Sequence, residues 1–224
     1  MIAGGVSIKG KKHEQNQDSF WVHSDSDLTV LAISDGLGSC KDSHYGSQAF
    51  CNSVREIFSH KDSLQYPPEE MCSEIHKHWL QSLNGHQISD CYATALFAVY
   101  YNSTLTLCAL GDGFIAAIYD GSKKHILWDD KEDYFINETD CLQESFESSD
   151  WRIFQCKCDN LQALIASSDG MELYPDGEES ILAFITGFSN GYTGNMKSEI
   201  EKDIQKWLSE WPGDDDKTVA YCIE

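Results

Sequence analysis

The chain has 224 residues, enough for one full-sized domain, and 41% of them are apolar, as in ordinary globular proteins. Its 37 acidic and 16 basic residues give a formal net charge of −21. Nucleic acid is therefore not an expected partner, because phosphate backbones are bound through basic patches.

Membrane insertion and secretion are also not expected. The chain has no apolar run of about 18 residues, the length that a membrane-spanning helix needs. Near the N-terminus a short apolar stretch precedes three lysines, which reverses the order found in a signal peptide. Nine cysteines without such a signal favour reduced thiols. We expect a cytoplasmic, monomeric protein that makes no contact with membranes.

The first half of the chain predicts two strands and then two helices. Residues 20–24 and 28–34 are typical of paired strands joined by a short acidic turn. Residues 43–60 carry apolar side chains at near-helical spacing. A second helix is predicted to begin near Pro68, which is followed by two acids, and to end before Gly85.

The second half predicts a block of strands, one helix and a last strand. The strands are expected at 92–101, 104–110, 114–120, 125–128, 160–168 and 218–223, and the helix at 196–211. No internal repeat or linker divides the chain, so we predict a single domain over residues 1–224. This order predicts an α+β fold in which sheets pack on each other and helices lie outside.

Two apolar strands end in the same dipeptide. "VLAISDG" ends at Asp35-Gly36, and "ALIASSDG" ends at Asp169-Gly170. The chain contains five Asp-Gly pairs, and the simplest interpretation of each is a tight turn. Neither of these two pairs is promptly followed by another strand, however, whereas Asp120-Gly121 is. A hairpin turn therefore explains Asp35 and Asp169 less well.

Three more acids lie where strands begin: Asp18 in "NQDSF", Asp112 in "ALGDGFI" and Asp215 in "DDDK". If these strand ends meet at one edge of a sandwich, five carboxylates converge. Like charges in a partly desolvated site raise each other's pKa, and divalent cations would neutralise them. Oxygen ligands select hard ions such as Mg²⁺ or Mn²⁺. The alternative, in which each aspartate is a separate turn residue, stays open at this point.

The ordered series "NQD", "ISDGLGS", "YATALFAVY", "LGDGF", "SSDGMEL" and "DDDKTVAY" resembles the metal-dependent protein phosphatases of type 2C, in particular their small bacterial branch. The resemblance spans about residues 13–219. It implies a four-layer α-β-β-α sandwich of two antiparallel sheets flanked by helices, with a two-metal centre at one end. It also implies that a metal-activated water hydrolyses phosphoserine or phosphothreonine on a phosphorylated protein, the target of a Ser/Thr kinase.

The resemblance assigns the metal ligands residue by residue. Asp35 would bridge two Mn²⁺ or Mg²⁺ ions, and the carbonyl group of Gly36 would ligate the second. Asp169 and Asp215 would complete the first, because residues 215–218 match the family's final Asp-x-x-Thr.

The resemblance gives two further acids roles outside the two-metal centre. Asp18 would hold a metal-bound water without touching the metal. Asp112 would join Asp169 in a third, weaker metal site.

Three positions depart from the family pattern. Gln17 stands where a glutamate often helps to anchor the second metal, and Leu37 where animal members carry a histidine proposed as general acid. His13 stands where the family has its phosphate-binding arginine, so it is a candidate catalytic residue. These departures favour an alternative function, an inactive or weakly active pseudophosphatase that binds a partner. The retained acids argue against that alternative.

Residues 128–151 lie where the family carries a variable flap beside its active site. The segment is strongly acidic. It is either a solvated loop or a segment that disfavours acidic phosphopeptides near the site.

Overall fold

Ten strands and four α-helices make up most of the part of the chain that the structure describes. A computed structural model describes residues 1–129, 139–171, 173 and 177–224. The strands are β1 (Ile2–Ile8), β2 (Asp18–Ser24), β3 (Leu28–Asp35), β4 (Ala95–Tyr101), β5 (Thr104–Leu110), β6 (Phe114–Tyr119), β7 (Lys123–Leu127), β8 (Arg152–Lys157), β9 (Leu161–Ser167) and β10 (Lys217–Ile223). The helices are α1 (Ser43–Phe58), α2 (Pro68–Ser82), α3 (Glu178–Tyr192) and α4 (Lys197–Glu210).

The strands form two five-stranded sheets in which all neighbours are antiparallel. The first sheet has the order β1-β10-β9-β6-β7, and the second has the order β2-β3-β4-β5-β8. The turn between β5 and β6 passes from the second sheet to the first. The two sheets are therefore linked at the end of the sandwich where that turn lies.

Three apolar clusters separate four layers. Side chains such as Leu31, Leu107 and Leu164 fill the space between the sheets. Helices α1 and α2 cover the second sheet through a cluster that includes Phe50 and Trp79. Helices α3 and α4 cover the first sheet, where the buried side chains of α4 are Ile200, Ile204 and Leu208. Their spacing of four residues puts them on one helix face, as the sequence predicts.

The predicted fold class, a four-layer α-β-β-α sandwich, is confirmed. Three elements are not among those that the sequence predicts: β1, β8 and α3. Strand β1 has a weak sequence signal because Gly4 and Gly5 lie at its centre. Glycine fits there because a Cβ at Gly4 would lie 2.6 Å from the hydroxyl oxygen of Tyr221, and one at Gly5 would lie 2.5 Å from the Phe20 ring.

The acidic segment 128–151 is described only in part, because residues 130–138 lie outside the described residues. Its final portion packs on the protein: Leu142 is buried, and its N–H donates to the carbonyl of Ala93 at 2.8 Å. In the part of the chain that the structure describes, no helix has the length and apolar character that a membrane span needs.

Candidate active site

The strand ends that carry the predicted acids meet at one end of the sandwich. In the second sheet, Asp18 at the start of β2 pairs directly with Asp35 at the end of β3. In the first sheet, β9 ends just before Asp169, and β10 begins just after Asp215 and pairs with β9. These antiparallel pairings, together with the β5–β6 turn, bring residues from five distant parts of the sequence together.

One cavity of about 160 Å³ lies at this end of the molecule. Its walls include five of the residues predicted as metal ligands, and His13 lies on the same wall. Those five are Asp35, Gly36, Asp112, Asp169 and Asp215. No cysteine is among the described residues that line this cavity.

Asp18 lies behind this cavity and connects the two sheets. Its side chain is 7% exposed, and its Oδ2 accepts hydrogen bonds from the hydroxyl groups of Thr218 (2.6 Å) and Ser168 (2.7 Å), both from the first sheet's side. Its Oδ1 is buried and receives no hydrogen bond from the described residues. Burial raises the pKa of Asp18 to about 7, although the two hydroxyl donors lower it.

Asp35 ends β3 in a fixed backbone position. Its N–H donates to Thr94 Oγ1 (2.9 Å), and its carbonyl accepts from the N–H of Thr94 (2.8 Å). Burial raises the pKa of the Asp35 carboxyl well above its usual range, and the adjacent charges of Asp18 and Asp169 raise it further. The residue after Asp35 is a glycine because a Cβ at Gly36 would lie 2.7 Å from the carbonyl carbon of Ser43, at the start of α1.

The second Asp-Gly pair, Asp169-Gly170, also contains glycine because of close packing. A Cβ at Gly170 would lie 1.8 Å from the carbonyl oxygen of Asp216, so only glycine can follow Asp169 beside the start of β10. Asp120-Gly121, by contrast, forms the turn between β6 and β7, with φ of 47° and 90°. The Asp-Gly dipeptide therefore has two uses in this chain, a plain hairpin turn and the close packing of a strand end.

Asp112 lies in the turn where the chain crosses from the second sheet to the first. Its Oδ2 accepts a hydrogen bond from Thr139 Oγ1 at 3.0 Å. Residue 139 is the first described residue after the gap in the acidic segment 128–151. The described end of that segment thus contacts the cavity wall.

A basic loop, residues 9–17, lines part of the cavity through Lys12, His13 and Gln17. Lys12 Nζ lies 2.8 Å from Asp215 Oδ2, and this hydrogen bond raises the pKa of Lys12. The His13 ring is mostly buried, with Nε2 3.9 Å from Asp215 Oδ1. It packs against Gly38, where a Cβ would lie 2.7 Å from its Cε1.

Asp216 holds this basic loop in place. Its side chain is 3% exposed, and its two carboxylate oxygens accept the backbone N–H groups of Gly10 and Gln17, both at 2.7 Å. The sequence did not reveal this contact, because "DDDK" contains three acids and spacing does not show which one turns inward.

The three departures from the family pattern all lie on the cavity wall: Gln17, Leu37 and His13. The same cavity is therefore lined both by residues that match the family pattern and by the three that differ from it.

A comparison with protein families gives a match to the description "Protein phosphatase 2C" over residues 9–211, most of the chain. The chain belongs to the protein phosphatase 2C family. The match ends four residues before Asp215, so it does not include that acid.

Solved structures agree on the fold. A bacterial serine phosphatase superposes with a TM-score of 0.71 at 13% identity, covering 99% of this chain and 96% of that chain. The serine/threonine phosphatase Stp1 from Staphylococcus aureus gives 0.65 at 12% identity, covering 99% and 94%. RsbX in complex with magnesium gives 0.63 at 16% identity, covering 97% and 92%. No curated protein matches the sequence.

The side chains of this phosphatase 2C family member fit hard divalent cations in charge and donor type. Asp18 and Asp35 both have raised pKa values in a crowded acidic site, and Asp18 Oδ1 receives no hydrogen bond from the described residues. Carboxylate oxygens are the ligands that Mg²⁺ and Mn²⁺ prefer. The acids line the cavity but are not close enough together to form a complete site. Among residues 1–129, 139–171, 173 and 177–224, no three His, Cys, Asp or Glu side chains are arranged to hold one ion.

Proposed function

We propose that the protein is a Mg²⁺- or Mn²⁺-dependent serine/threonine phosphatase that acts on phosphorylated proteins in the cytoplasm. One observation carries the proposal: four strand-end carboxylates, distant in sequence, line a single cavity in a chain of the phosphatase 2C family. The comparisons give no sign that favours the pseudophosphatase alternative, which rests on the departures at Gln17, Leu37 and His13.

In this proposal the ligands are those that the resemblance implies. Asp35, Gly36, Asp169 and Asp215 would hold two ions, and Asp112 would contribute to a third, weaker site. The magnesium bound to RsbX, a structural neighbour, supports the choice of metal. When bound, such ions supply an activated water for direct hydrolysis and offset charge on the phosphoryl oxygens.

The chain's own residues hold the reacting groups in position. Asp18 fixes the two sheets relative to each other through Thr218 and Ser168, so the acids of both sheets keep their spacing. Lys12 and His13 lie in the cavity lining, where their N–H groups can donate hydrogen bonds to a phosphoryl group. No cysteine lines the cavity among the described residues, so a covalent phosphocysteine intermediate has no candidate nucleophile there.

Hydrolysis of phosphopeptides by the purified chain tests this proposal. We expect phosphate release from phosphoserine and phosphothreonine peptides in millimolar Mn²⁺, loss of activity with EDTA, and no loss after treatment with iodoacetamide. Activity that survives EDTA but is lost to alkylation would mean a cysteine mechanism instead.

Asp169→Asn tests the metal site without relying on turnover. Calorimetry should show sharply weaker Mn²⁺ binding than in the wild type. The metal-free melting temperature should stay equal or rise, because one of the charges that crowd Asp35 is removed. Asp62→Asn, at an exposed position on a distant turn, removes the same charge and should leave both values unchanged. Equal Mn²⁺ affinity in the two variants would contradict the assignment.

A further inference from the structure

The negative charge of the cavity lining disfavours binding of a phosphate substrate. Its lining includes four aspartates, and the whole chain has a net charge of −21. A phosphate monoester is itself an anion and is repelled by such a surface unless cations lie beside it. Lys12 is the only lysine or arginine among the described residues that line the cavity.

The structure separates Lys12 from the two lysines near it in sequence. Lys11 points outward: its side chain is 89% exposed and its Nζ lies 3.5 Å from Asp214 Oδ1. Lys9 Nζ donates to backbone carbonyls of its own loop. Of these three lysines, only Lys12 is directed to an acid of the cavity, with its Nζ 2.8 Å from Asp215 Oδ2.

The backbone beneath Lys12 is held firmly, whereas its side chain can move. The N–H groups of Lys11 and Lys12 both donate to the carbonyl oxygen of Asp214, at 2.8 and 3.0 Å. Asp216 anchors Gly10 and Gln17 on either side. The Lys12 side chain is 59% exposed and has four rotatable bonds, so its ammonium group can leave Asp215 without any change in the loop.

We propose that Lys12 is an exchange cation: Asp215 holds its ammonium group until that carboxylate binds a divalent cation, and the ammonium group then binds the phosphoryl oxygens of the substrate. A divalent ion on Asp215 competes for the oxygens that Lys12 contacts and repels the ammonium charge. The released lysine still lines the cavity, where the phosphoryl group of a bound substrate offers it a new anionic partner. This inference rests on the proposed function.

The proposal predicts opposite effects on two measured quantities. Without Lys12, a divalent cation no longer has to displace a competitor, so it binds more tightly. The substrate, in contrast, loses a charged hydrogen-bond donor and binds more weakly. A lysine that merely stabilised the loop would weaken both kinds of binding when it was removed.

The experiment compares Lys12→Met, Lys12→Arg and the matched control Lys11→Met with the wild type. Calorimetry gives the Kd for Mn²⁺, and phosphopeptide hydrolysis at saturating Mn²⁺ gives KM. For Lys12→Met we expect the Mn²⁺ Kd to fall about two- to fivefold, the scale of an exposed ion pair. We expect its KM to rise about tenfold, the scale of a charged hydrogen bond. Lys12→Arg should keep KM near the wild-type value, and Lys11→Met should change neither quantity appreciably.

Any of three other results would overturn the inference. If Lys12→Met equals Lys11→Met in either Kd or KM, Lys12 does not exchange between the two partners. If Lys12→Met weakens Mn²⁺ binding, its contact with Asp215 supports the metal site instead of competing with it. A wild-type protein that neither binds Mn²⁺ nor hydrolyses phosphopeptides would overturn the proposed function and this inference together, and the wild-type measurements alone decide that case.

Discussion

At the scale of single residues, position in the fold decides what an acid does. Asp215 and Asp216 are neighbours in sequence, yet Asp215 faces the cavity while Asp216 is buried against two backbone N–H groups. Both residues precede β10, which begins at Lys217, and the backbone of this segment turns their side chains toward different surroundings.

The position of His13 in the fold leads to a specific prediction about substrate binding. Its ring lies on the cavity wall, 12% exposed, between Gly38 and Asp215. Because an imidazole N–H there can donate to an entering phosphate, His13→Ala should raise KM for phosphopeptide about two- to tenfold, the range for one lost hydrogen bond. The Mn²⁺ Kd should stay nearly unchanged, unlike that of Lys12→Met.

The control for His13 is His23→Ala. His23 lies near the other end of β2, where its Nε2 is 3.0 Å from Asp25 Oδ2. This variant should have wild-type KM. A His13→Ala protein with the same KM as His23→Ala would show that His13 does not contact substrate.

At the scale of elements, the site depends on how closely neighbouring segments approach. The basic loop lies against the start of β10, α1 lies against the segment before β4, and β9 ends against β10. In each case a glycine or a buried acid permits the contact. Two predictions belong to this scale.

The first concerns the contact between Asp216 and the basic loop. Asp216→Ala leaves two N–H groups without their acceptor, and we expect it to lower the free energy of unfolding by about 2–4 kcal/mol. Asp216→Asn should cost less, because an amide keeps one acceptor oxygen but presents its NH₂ group to the other donor. Urea unfolding measures both, and hydrogen exchange of residues 10–17 should become faster in both variants.

Asp214→Ala is the matched control for this contact. Its side chain is 72% exposed and pairs only with Lys11 among the described residues, so the substitution should change the free energy of unfolding by less than about 0.5 kcal/mol. If Asp216→Ala were equally mild, the loop would be held by its other contacts.

The second prediction compares two helical glycines. A Cβ at Gly46 in α1 would lie 1.8 Å from the carbonyl oxygen of Cys91, so Gly46→Ala should destabilise the protein by about 2–3 kcal/mol. Gly187 in α3 has no heavy atom within 4 Å of such a Cβ. Gly187→Ala should therefore stabilise by about 0.5–1 kcal/mol, because alanine is the better helix former. Thermal melting of both variants checks the pair, and a shift of the same sign in both would contradict the argument.

At the scale of the whole molecule, the sandwich buries most of its thiols away from the site. Six of the nine cysteines are buried, and three are half-buried, all without a disulfide: Cys40, Cys141 and Cys156. Burial raises the pKa of Cys141 to about 12, which suppresses its reactive thiolate near neutral pH. The fold thus disfavours thiol reactivity at the buried cysteines and at Cys141.

Thiol titration with a disulfide reagent tests this distribution. At pH 8 the native protein should show fast reaction at Cys40 and Cys156 only, and all nine cysteines should react in denaturant. The rate at Cys141 should rise about tenfold per pH unit through pH 10, because its thiolate fraction grows in that proportion below its pKa. Peptide mass spectrometry assigns the labelled positions. Fast labelling of a buried cysteine such as Cys51 would contradict the packing.

The sequence by itself determined the fold class and the candidate acids. Apolar periodicity located the predicted strands and helices, since burial on one face imposes it locally. The ordered motifs around Asp35, Asp112 and Asp169 indicated the family. Tertiary structure alone decided which acids share a cavity, because the pairings β2–β3 and β9–β10 join residues far apart in sequence. It also decided that Lys12 faces the cavity while Lys11 faces solvent, since side-chain direction depends on the backbone contacts of the loop with Asp214 and not on spacing.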